Sequence, residues 1–212
     1  MCGGALIDKL WVITAAHCCQ TRPATQMDAL LGTITLNNTF GEFQNSNPNL
    51  RPTLFFRSQA PRVQFIEKYM PGYFNYTIND LCVLKLSRSI DTLGWPSSLL
   101  APARLGRVGN AFNNLKLPAV TAGFGRTVES VVAPSPILKA AQSVYRTGFD
   151  CFIKSNGRAL FSEPSVVCSE EFRPNGVCYG DSGSGAFSTA SQGEIIVTGI
   201  LSFFAVTNLV RA

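Results

Sequence analysis

Short apolar runs recur along the whole chain, and no stretch shows the sustained period of about 3.6 residues that marks a long helix. The runs are rich in β-branched and aromatic residues, and Gly, Pro, Asn and Ser separate them, a pattern typical of strands joined by turns. We therefore predict an all-β fold, with two short helical turns at residues 15–18 and 150–155. The predicted strands are residues 10–14, 29–35, 62–66, 81–86, 119–122, 139–145, 166–168, 185–188 and 194–203.

Two stretches interrupt the strand pattern. Residues 37–61 are rich in Asn, Pro, Ser and Phe without a clean period, which predicts a surface loop that could hold one strand. Residues 94–114 carry prolines, glycines and serines between two strand-rich halves, as domain boundaries often do. We therefore expect two β domains, residues 1–104 and residues 105–212.

Composition narrows the functional classes. Apolar residues make up 46% of the chain, enough for a sizeable core, whereas charged residues make up 15% and are scattered. The net charge of +5 thus lacks the dense basic patch that nucleic-acid binding needs. The longest apolar stretch, residues 195–206, is interrupted by polar residues and is shorter than the roughly 20 residues that span a bilayer. We expect neither a nucleic-acid nor a membrane partner.

Seven cysteines could be metal ligands, redox thiols or a disulfide framework. The chain has a single histidine and no Cys-x-x-Cys pair, which disfavours zinc, and we expect no metal and no cofactor. Disulfides form in oxidising compartments, and the glycosylation sequons that begin at Asn37 and Asn75 agree with secretion. The odd count leaves at least one cysteine without an internal partner.

His17 is the only histidine, so any mechanism that needs an imidazole base must use it. An isolated histidine is more often a packed or surface residue than a catalyst. Here, however, the apolar run Trp11-Val-Ile-Thr-Ala-Ala leads directly to His17, and Cys18 follows. A buried strand that delivers the ring to a turn, beside a cysteine that could hold it, favours a catalytic role.

Ser182 lies in the segment Gly180-Asp-Ser-Gly-Ser-Gly185. Its glycines allow a tight turn that points backbone N–H groups at an oxyanion, so the Ser182 hydroxyl could be a nucleophile. Taken by itself, the segment is more typical of a Gly/Ser turn between strands.

Chain order limits which acid could complete a serine triad. An order of Ser, acid and His is excluded because no histidine follows Ser182. An order that begins with Asp would need Asp8, which lies in an apparent turn without the expected surroundings. The order His, Asp, Ser remains, and Asp80 stands at the start of the apolar run that follows it, ahead of the weaker candidates Asp28 and Asp91. Asp80 could also simply start a strand from a turn.

Together these segments resemble the trypsin/chymotrypsin family of serine proteases. The resemblance covers almost the whole chain in the family's order: Cys2-Gly-Gly-Ala-Leu-Ile, Trp11-Val-Ile-Thr-Ala-Ala-His17-Cys18, Asn79-Asp80-Leu81, Thr121-Ala-Gly-Phe-Gly125, Gly180-Asp181-Ser182-Gly183 and Gly199-Ile-Leu-Ser202-Phe203. It implies two antiparallel six-stranded β-barrels, here incomplete at both termini, with the active site in the cleft between them.

The resemblance also implies a role for each site residue. His17 would be general base and then general acid, Asp80 would orient it, and Ser182 would attack the peptide carbonyl. The N–H groups of Gly180 and Ser182 would form the oxyanion hole. The implied disulfides are Cys2–Cys18 and Cys151–Cys168, which leaves Cys19 and Cys82 as free buried thiols or as an unusual pair.

Several positions depart from the family's pattern. Gly176 stands at the base of the S1 pocket, where trypsins carry Asp, and Val177 beside it is apolar, so we expect an apolar or aromatic P1 residue. Ser202, Phe203 and Phe204 complete the predicted substrate-binding residues, and Phe204 replaces a Gly that usually pairs with the substrate backbone. Ser184 replaces another Gly.

The family usually begins about 25 residues earlier and continues further, to a cysteine that pairs with Cys178. We therefore expect residues 1–212 to be a fragment or an imperfect gene model. As written, this chain is expected to show little or no peptidase activity, because in the family a new N-terminal ammonium pairs with the carboxylate that precedes the nucleophile, here Asp181. Without that ammonium, Asp181 must turn to solvent or find another donor.

The sequence thus predicts a secreted, monomeric serine endopeptidase that acts on proteins or peptides. Proteinaceous protease inhibitors are its further predicted partners. The alternative is a catalytically impaired homologue that serves as a binding or regulatory module.

Overall fold

The computed structural model of the chain describes residues 1–36, 61–75, 78–94, 100–106, 118–127, 133–146, 167–171, 176–189 and 193–203. These residues form strands and only single helical turns, and none of the helices is long and apolar enough to cross a membrane. The strands are β1 (Ala5–Asp8), β2 (Trp11–Thr14), β3 (Asp28–Leu30), β4 (Arg62–Tyr69), β5 (Cys82–Leu86), β6 (Arg104–Leu105), β7 (Pro118–Gly123), β8 (Lys139–Arg146), β9 (Cys168–Glu171), β10 (Gly185–Thr189) and β11 (Ile195–Ile200). The helical turns are α1 (Ala16–Cys19) and two 3₁₀ turns, Ala24–Gln26 and Ile90–Leu93.

The first sheet is antiparallel, with the strand order β1-β2-β5-β4-β3. Its strands alternate between buried and exposed positions, because successive side chains of a strand point to opposite faces. In β4, Val63 and Phe65 are buried while Gln64 between them is exposed. Leu84 and Leu86 of β5 join them in one core. The period of two read from the sequence therefore selects the face that is packed.

The second sheet has the order β6-β11-β10-β7-β8-β9, and its strand pairs are antiparallel except for the parallel pair of β6 and β11. A small apolar cluster joins the two sheets: Ala5 and Ile13 of the first sheet pack with Val197 of β11. Because adjacent residues of a strand face opposite sides, Val12 faces the first core while Ile13 faces this shared cluster.

The prediction of an all-β chain with almost no helix is confirmed. Most predicted strands overlap an observed one, although β3 ends at Leu30 and β9 begins at Cys168, so the predicted bounds at residues 29–35 and 166–168 are shifted. Strand β1 and the two-residue strand β6 were not predicted from the sequence. The predicted helical turn at residues 150–155 and most of the predicted loop at 37–61 lie outside the described residues.

Candidate active site

His17 and Asp80 lie together at one edge of the first sheet. Strands β2 and β5 are antiparallel, with Thr14 opposite Cys82, so the residues that follow β2 and those that precede β5 meet. His17 in α1 places its Nδ1 2.7 Å from Asp80 Oδ2, and its backbone N–H donates to Asp80 Oδ1 over 2.8 Å. Two neighbouring strands therefore bring together residues that are 63 positions apart in sequence.

The carboxylate of Asp80 accepts a third hydrogen bond, from Ser202 Oγ at 2.6 Å. Its side chain is only 4% exposed. Desolvation, the largest single effect, raises the pKa of Asp80, but hydrogen bonds from the His17 ring, the Ser202 hydroxyl and the His17 backbone together outweigh it, so the pKa lies below its ordinary value. An ionised carboxylate can only accept, so His17 Nδ1 is the donor, and in the neutral ring Nε2 is left as the acceptor.

The Ser182 segment is tied to the same region through its backbone. Gly3 N donates to Ser182 O over 2.8 Å, and Gly3 follows Cys2, whose disulfide reaches Cys18 next to His17. The Cys18 sulfur lies 3.8 Å from Ser182 O and 3.7 Å from His17 Nε2; it carries no proton, so both are contacts and not hydrogen bonds. Between described residues no hydrogen bond joins Ser182 Oγ to His17, and such bonds are often long without substrate.

Gly183 makes the sharp turn that follows Ser182. Its φ of +83° favours glycine, and a Cβ there would stand 2.1 Å from Thr14 Oγ1. Gly183 N donates to Leu201 O over 2.7 Å, and Leu201 N donates to Ser184 O over 2.9 Å. These two hydrogen bonds hold the turn against the segment that contains Ser202, whose hydroxyl contacts Asp80.

The amides proposed for the oxyanion hole flank Asp181. Asp181 N donates to Cys178 O, whereas no hydrogen bond between described residues uses Gly180 N or Ser182 N as donor. The Asp181 side chain finds two backbone donors, Gly125 N at 2.7 Å and Cys178 N at 3.0 Å, and the residue is 9% exposed. Gly125 must be glycine here, because a Cβ would lie 2.4 Å from the Asp181 carboxyl carbon. Of the two outcomes considered for Asp181, exposure to solvent or a new donor, the structure has the second.

Four of the described cysteines form two disulfides. Cys2 pairs with Cys18, as the family resemblance implied, and Cys19 pairs with Cys82, which the sequence left open. The second bond closes a loop with a separation of 63 residues, which contributes about 4 kcal/mol on the chain-entropy view. Three further cysteines complete the set: Cys168 is also disulfide-bonded, its predicted partner Cys151 lies outside the described residues, and Cys178 is a free thiol.

One group of potential metal ligands is found among the described residues, formed by Cys2, His17 and Cys18 within 4.8 Å of one another. The two sulfurs are joined to each other in a disulfide and so are not thiolate ligands.

The predicted substrate-binding residues lie on two segments. Gly176 is exposed and Val177 is half-buried on one, and Ser202 and Phe203 are half-buried on the other, while Phe204 lies outside the described residues. The Ser202 hydroxyl is directed to Asp80, a contact that sequence reasoning missed. No local pattern could have revealed it, since the two residues are 122 positions apart.

Comparison with known proteins shows which family and which individual proteins this chain is similar to. The Trypsin family model matches residues 1–209. Porcine coagulation factor XII is 28% identical over 209 residues, CLIP domain-containing serine protease B4 of Anopheles gambiae is 27% identical over 210, and rat granzyme M is 28% identical over 206. These alignments cover 95%, 95% and 96% of this chain, respectively. The chain spans 31% of factor XII, 54% of protease B4 and 69% of granzyme M.

Proposed function

Because the chain belongs to the trypsin family of serine proteases, we propose that it is a secreted endopeptidase whose catalytic residues are His17, Asp80 and Ser182. The observation that carries the proposal is the buried Asp80 carboxylate, which accepts from the ring and the backbone of the only histidine. The loop that carries Ser182 is hydrogen-bonded to Gly3, at the same edge of the first sheet, and to Leu201, which follows β11.

In the proposed reaction Ser182 Oγ attacks the carbonyl carbon of the scissile bond while its proton passes to His17 Nε2. The oxyanion that forms accepts hydrogen bonds from Gly180 N and Ser182 N. Collapse of this intermediate breaks the C–N bond, and the leaving amine takes the proton from Nε2. Water then attacks the acyl-enzyme with His17 again as base, which releases the acid product and restores Ser182.

Asp80 supports both transfers without exchanging a proton. Its pKa is lowered by the surrounding donors, so the carboxylate stays ionised at neutral pH. It holds Nδ1–H and thereby keeps Nε2 available to the Ser182 hydroxyl, and its charge stabilises the imidazolium that forms.

The alternative function is a homologue that binds partners without cleaving them. We expect a fluorophosphonate probe to label the protein, with a mass increase that maps to Ser182, because phosphonylation with loss of fluoride needs an activated serine. Heat-denatured protein is the control and should stay unlabelled. Absence of labelling in protein that is folded by circular dichroism would favour the binding module.

The proposed P1 preference is for apolar or aromatic side chains. Asp181 is the only acidic residue of segment 176–189, and both of its oxygens accept from backbone amides, so no carboxylate of this segment is left for a basic side chain. Gly176 and Val177 would instead leave a cation unpaired, at a cost of several kcal/mol if it were buried.

Chromogenic peptides that differ only at P1 test this preference on a form of the enzyme completed at both termini. We expect kcat/KM for Phe, Tyr or Leu to exceed that for Arg or Lys by about 100-fold or more, because of the cost of the unpaired cation. Peptides with Glu at P1 serve as a second charged control and should also be poor substrates. Faster turnover of the Arg peptide would contradict the assignment of Gly176 to the pocket floor.

The remaining assignments follow from the same proposal. The disulfides favour export to an oxidising compartment, with proteins or peptides as substrates and proteinaceous inhibitors as further partners of a monomer. We place the boundary between the two barrels at residues 104/105.

A further inference from the structure

The helix that carries His17 is too short to hold itself in place. α1 has four residues, and an isolated helix of that length is unstable in water. No side chain caps its N-terminus. The orientation of the His17 ring therefore depends on the contacts that α1 makes with the first sheet.

One of these contacts is a disulfide that lies close in sequence to both members of the His17–Asp80 pair. Cys19 lies two residues after His17, Cys82 lies two residues after Asp80, and the two cysteines form a disulfide with a Cα–Cα distance of 6.7 Å. Cys19 is 1% exposed and Cys82 is fully buried, so the bond is enclosed in the core. It connects α1 covalently to the start of β5 next to the point where the imidazole meets the carboxylate.

Apart from the hydrogen bond from His17 N to Asp80 Oδ1, the other contacts of α1 are weaker than a covalent bond or lead to other parts of the chain. Lys68 Nζ donates to Cys19 O at 2.8 Å and to Arg22 O at 2.7 Å, through a flexible side chain of β4. The Cys2–Cys18 disulfide ties α1 to the chain before β1 and not to β5. Among the described residues, the covalent link between the two halves of the pair is thus the Cys19–Cys82 bond alone.

We propose that the Cys19–Cys82 disulfide is a positioning element of the active site, which holds α1 against β5 so that the bond from His17 Nδ1 to Asp80 Oδ2 keeps its geometry through the catalytic cycle. The catalytic consequence rests on the proposed function, whereas the effect on the His17–Asp80 pair does not. The reaction alternately charges and discharges the imidazole, and small misplacements of such a group are costly. Ala or Val at these two positions would fill the core but not prevent a shift of α1.

A disulfide that merely stabilised the fold would act differently. Its loss would lower the free energy of unfolding by relaxing the unfolded chain, and it would leave the native pair and kcat unchanged wherever the protein is still folded. A positioning role predicts a change in the native state itself. The two roles are therefore separated by measurements on fully folded protein.

The experiment compares the Cys19→Ala/Cys82→Val double variant with Val63→Ala, a matched control. Val63 lies in the same apolar core and is 1% exposed, so Val63→Ala destabilises the sheet without touching the disulfide. Well below both melting temperatures, we expect kcat of the double variant to fall by about 10- to 100-fold with little change in KM, and kcat of Val63→Ala to stay within about 2-fold.

A spectroscopic measurement reports on the pair directly. The chain has one histidine, so the ring signals of ¹⁵N-histidine-labelled protein belong to His17 without further assignment. We expect a low-field Nδ1–H proton signal in the wild type and in Val63→Ala, and its loss or an upfield shift in the double variant. Retention of this signal in the folded double variant would overturn the inference, whatever happens to its melting temperature.

An inactive wild type or an unfolded double variant would each change which measurement decides. The proposed protease function fails if the wild type cleaves no peptide even in a form extended at both termini, and the His17 signal alone then decides the present inference. If the double variant does not fold, Lys68→Met tests whether the disulfide is sufficient to hold the His17–Asp80 pair. This substitution removes both Lys68 hydrogen bonds and leaves the disulfide intact. The signal should then persist, and its loss in folded Lys68→Met would contradict the inference.

Discussion

Replacing Ser182 with alanine is expected to lower kcat by about 10⁶-fold, the largest effect of any single substitution in this chain. Without Oγ no acyl-enzyme can form, and water would have to attack the peptide directly. The amides of Gly180 and Ser182 remain, so residual hydrolysis about 10³-fold above the uncatalysed rate is expected. KM should change little, because the substituted atom contributes to the transition state more than to binding. The measurement is kcat/KM with the best peptide substrate, together with titration of active sites.

Ser184→Ala is the matched control for this substitution. Ser184 lies two residues further along the same turn, is 2% exposed, and its Oγ has no hydrogen-bond partner among the described residues. Removing a buried hydroxyl that makes no hydrogen bond leaves no partner unsatisfied, so activity within about 3-fold of wild type and equal or higher stability are expected. Full activity in Ser182→Ala, or an equal loss in both variants, would contradict the role of Ser182 as nucleophile.

Asp80→Asn is expected to lower kcat by about 10⁴-fold at neutral pH while the fold remains intact. The two oxygens of Asp80 accept from three donors: His17 N, His17 Nδ1 and Ser202 Oγ. Asparagine has one carbonyl oxygen, so in either orientation its NH₂ group faces at least one of these donors. The His17 ring can then change tautomer, which places a proton on Nε2 and removes the base.

Ser202→Ala serves as the comparison for Asp80→Asn. It removes one of the three donors and leaves the contact between Nδ1 and Oδ2, so the loss in kcat should be smaller, about 10- to 100-fold. The measurement is kcat as a function of pH for the wild type and both variants. Equal rates for wild type and Asp80→Asn would show that this carboxylate does not orient the base.

Asp80→Asn also changes how the free energy of unfolding depends on pH in the acid range. The pKa of Asp80 in the folded protein lies below its ordinary value near 3.8. A depressed carboxyl pKa contributes stability that is fully present above the unfolded-state value and is lost as the pH falls through the folded-state value. The difference in the free energy of unfolding between wild type and Asp80→Asn should therefore shrink as the pH falls below about 4, as urea unfolding at a series of pH values would show.

Local sequence patterns determined the class of fold and the candidate residues. The alternation of apolar and polar residues in β4 and β5 places Val63, Phe65 and Leu84 on the packed face, and this period of two is a property of the strand itself. The absence of any histidine after Ser182 excluded the order Ser, acid and His, and Asp8 is the only aspartate before His17, so the order His, Asp and Ser was preferred. Such inferences need only neighbouring residues or simple order, and they could be made without coordinates.

The contacts that build the site were decided by the tertiary structure alone. The bond from Ser202 to Asp80 and the bond from Gly125 to Asp181 join residues 122 and 56 positions apart. The Cys19–Cys82 disulfide spans 63 positions, and from sequence these cysteines could equally have been free thiols. Strand β6 has two residues and exists through its pairing with β11. Partners so distant meet only when strand register and the packing of the two sheets bring them together, and neither is encoded in the local period of a chain segment.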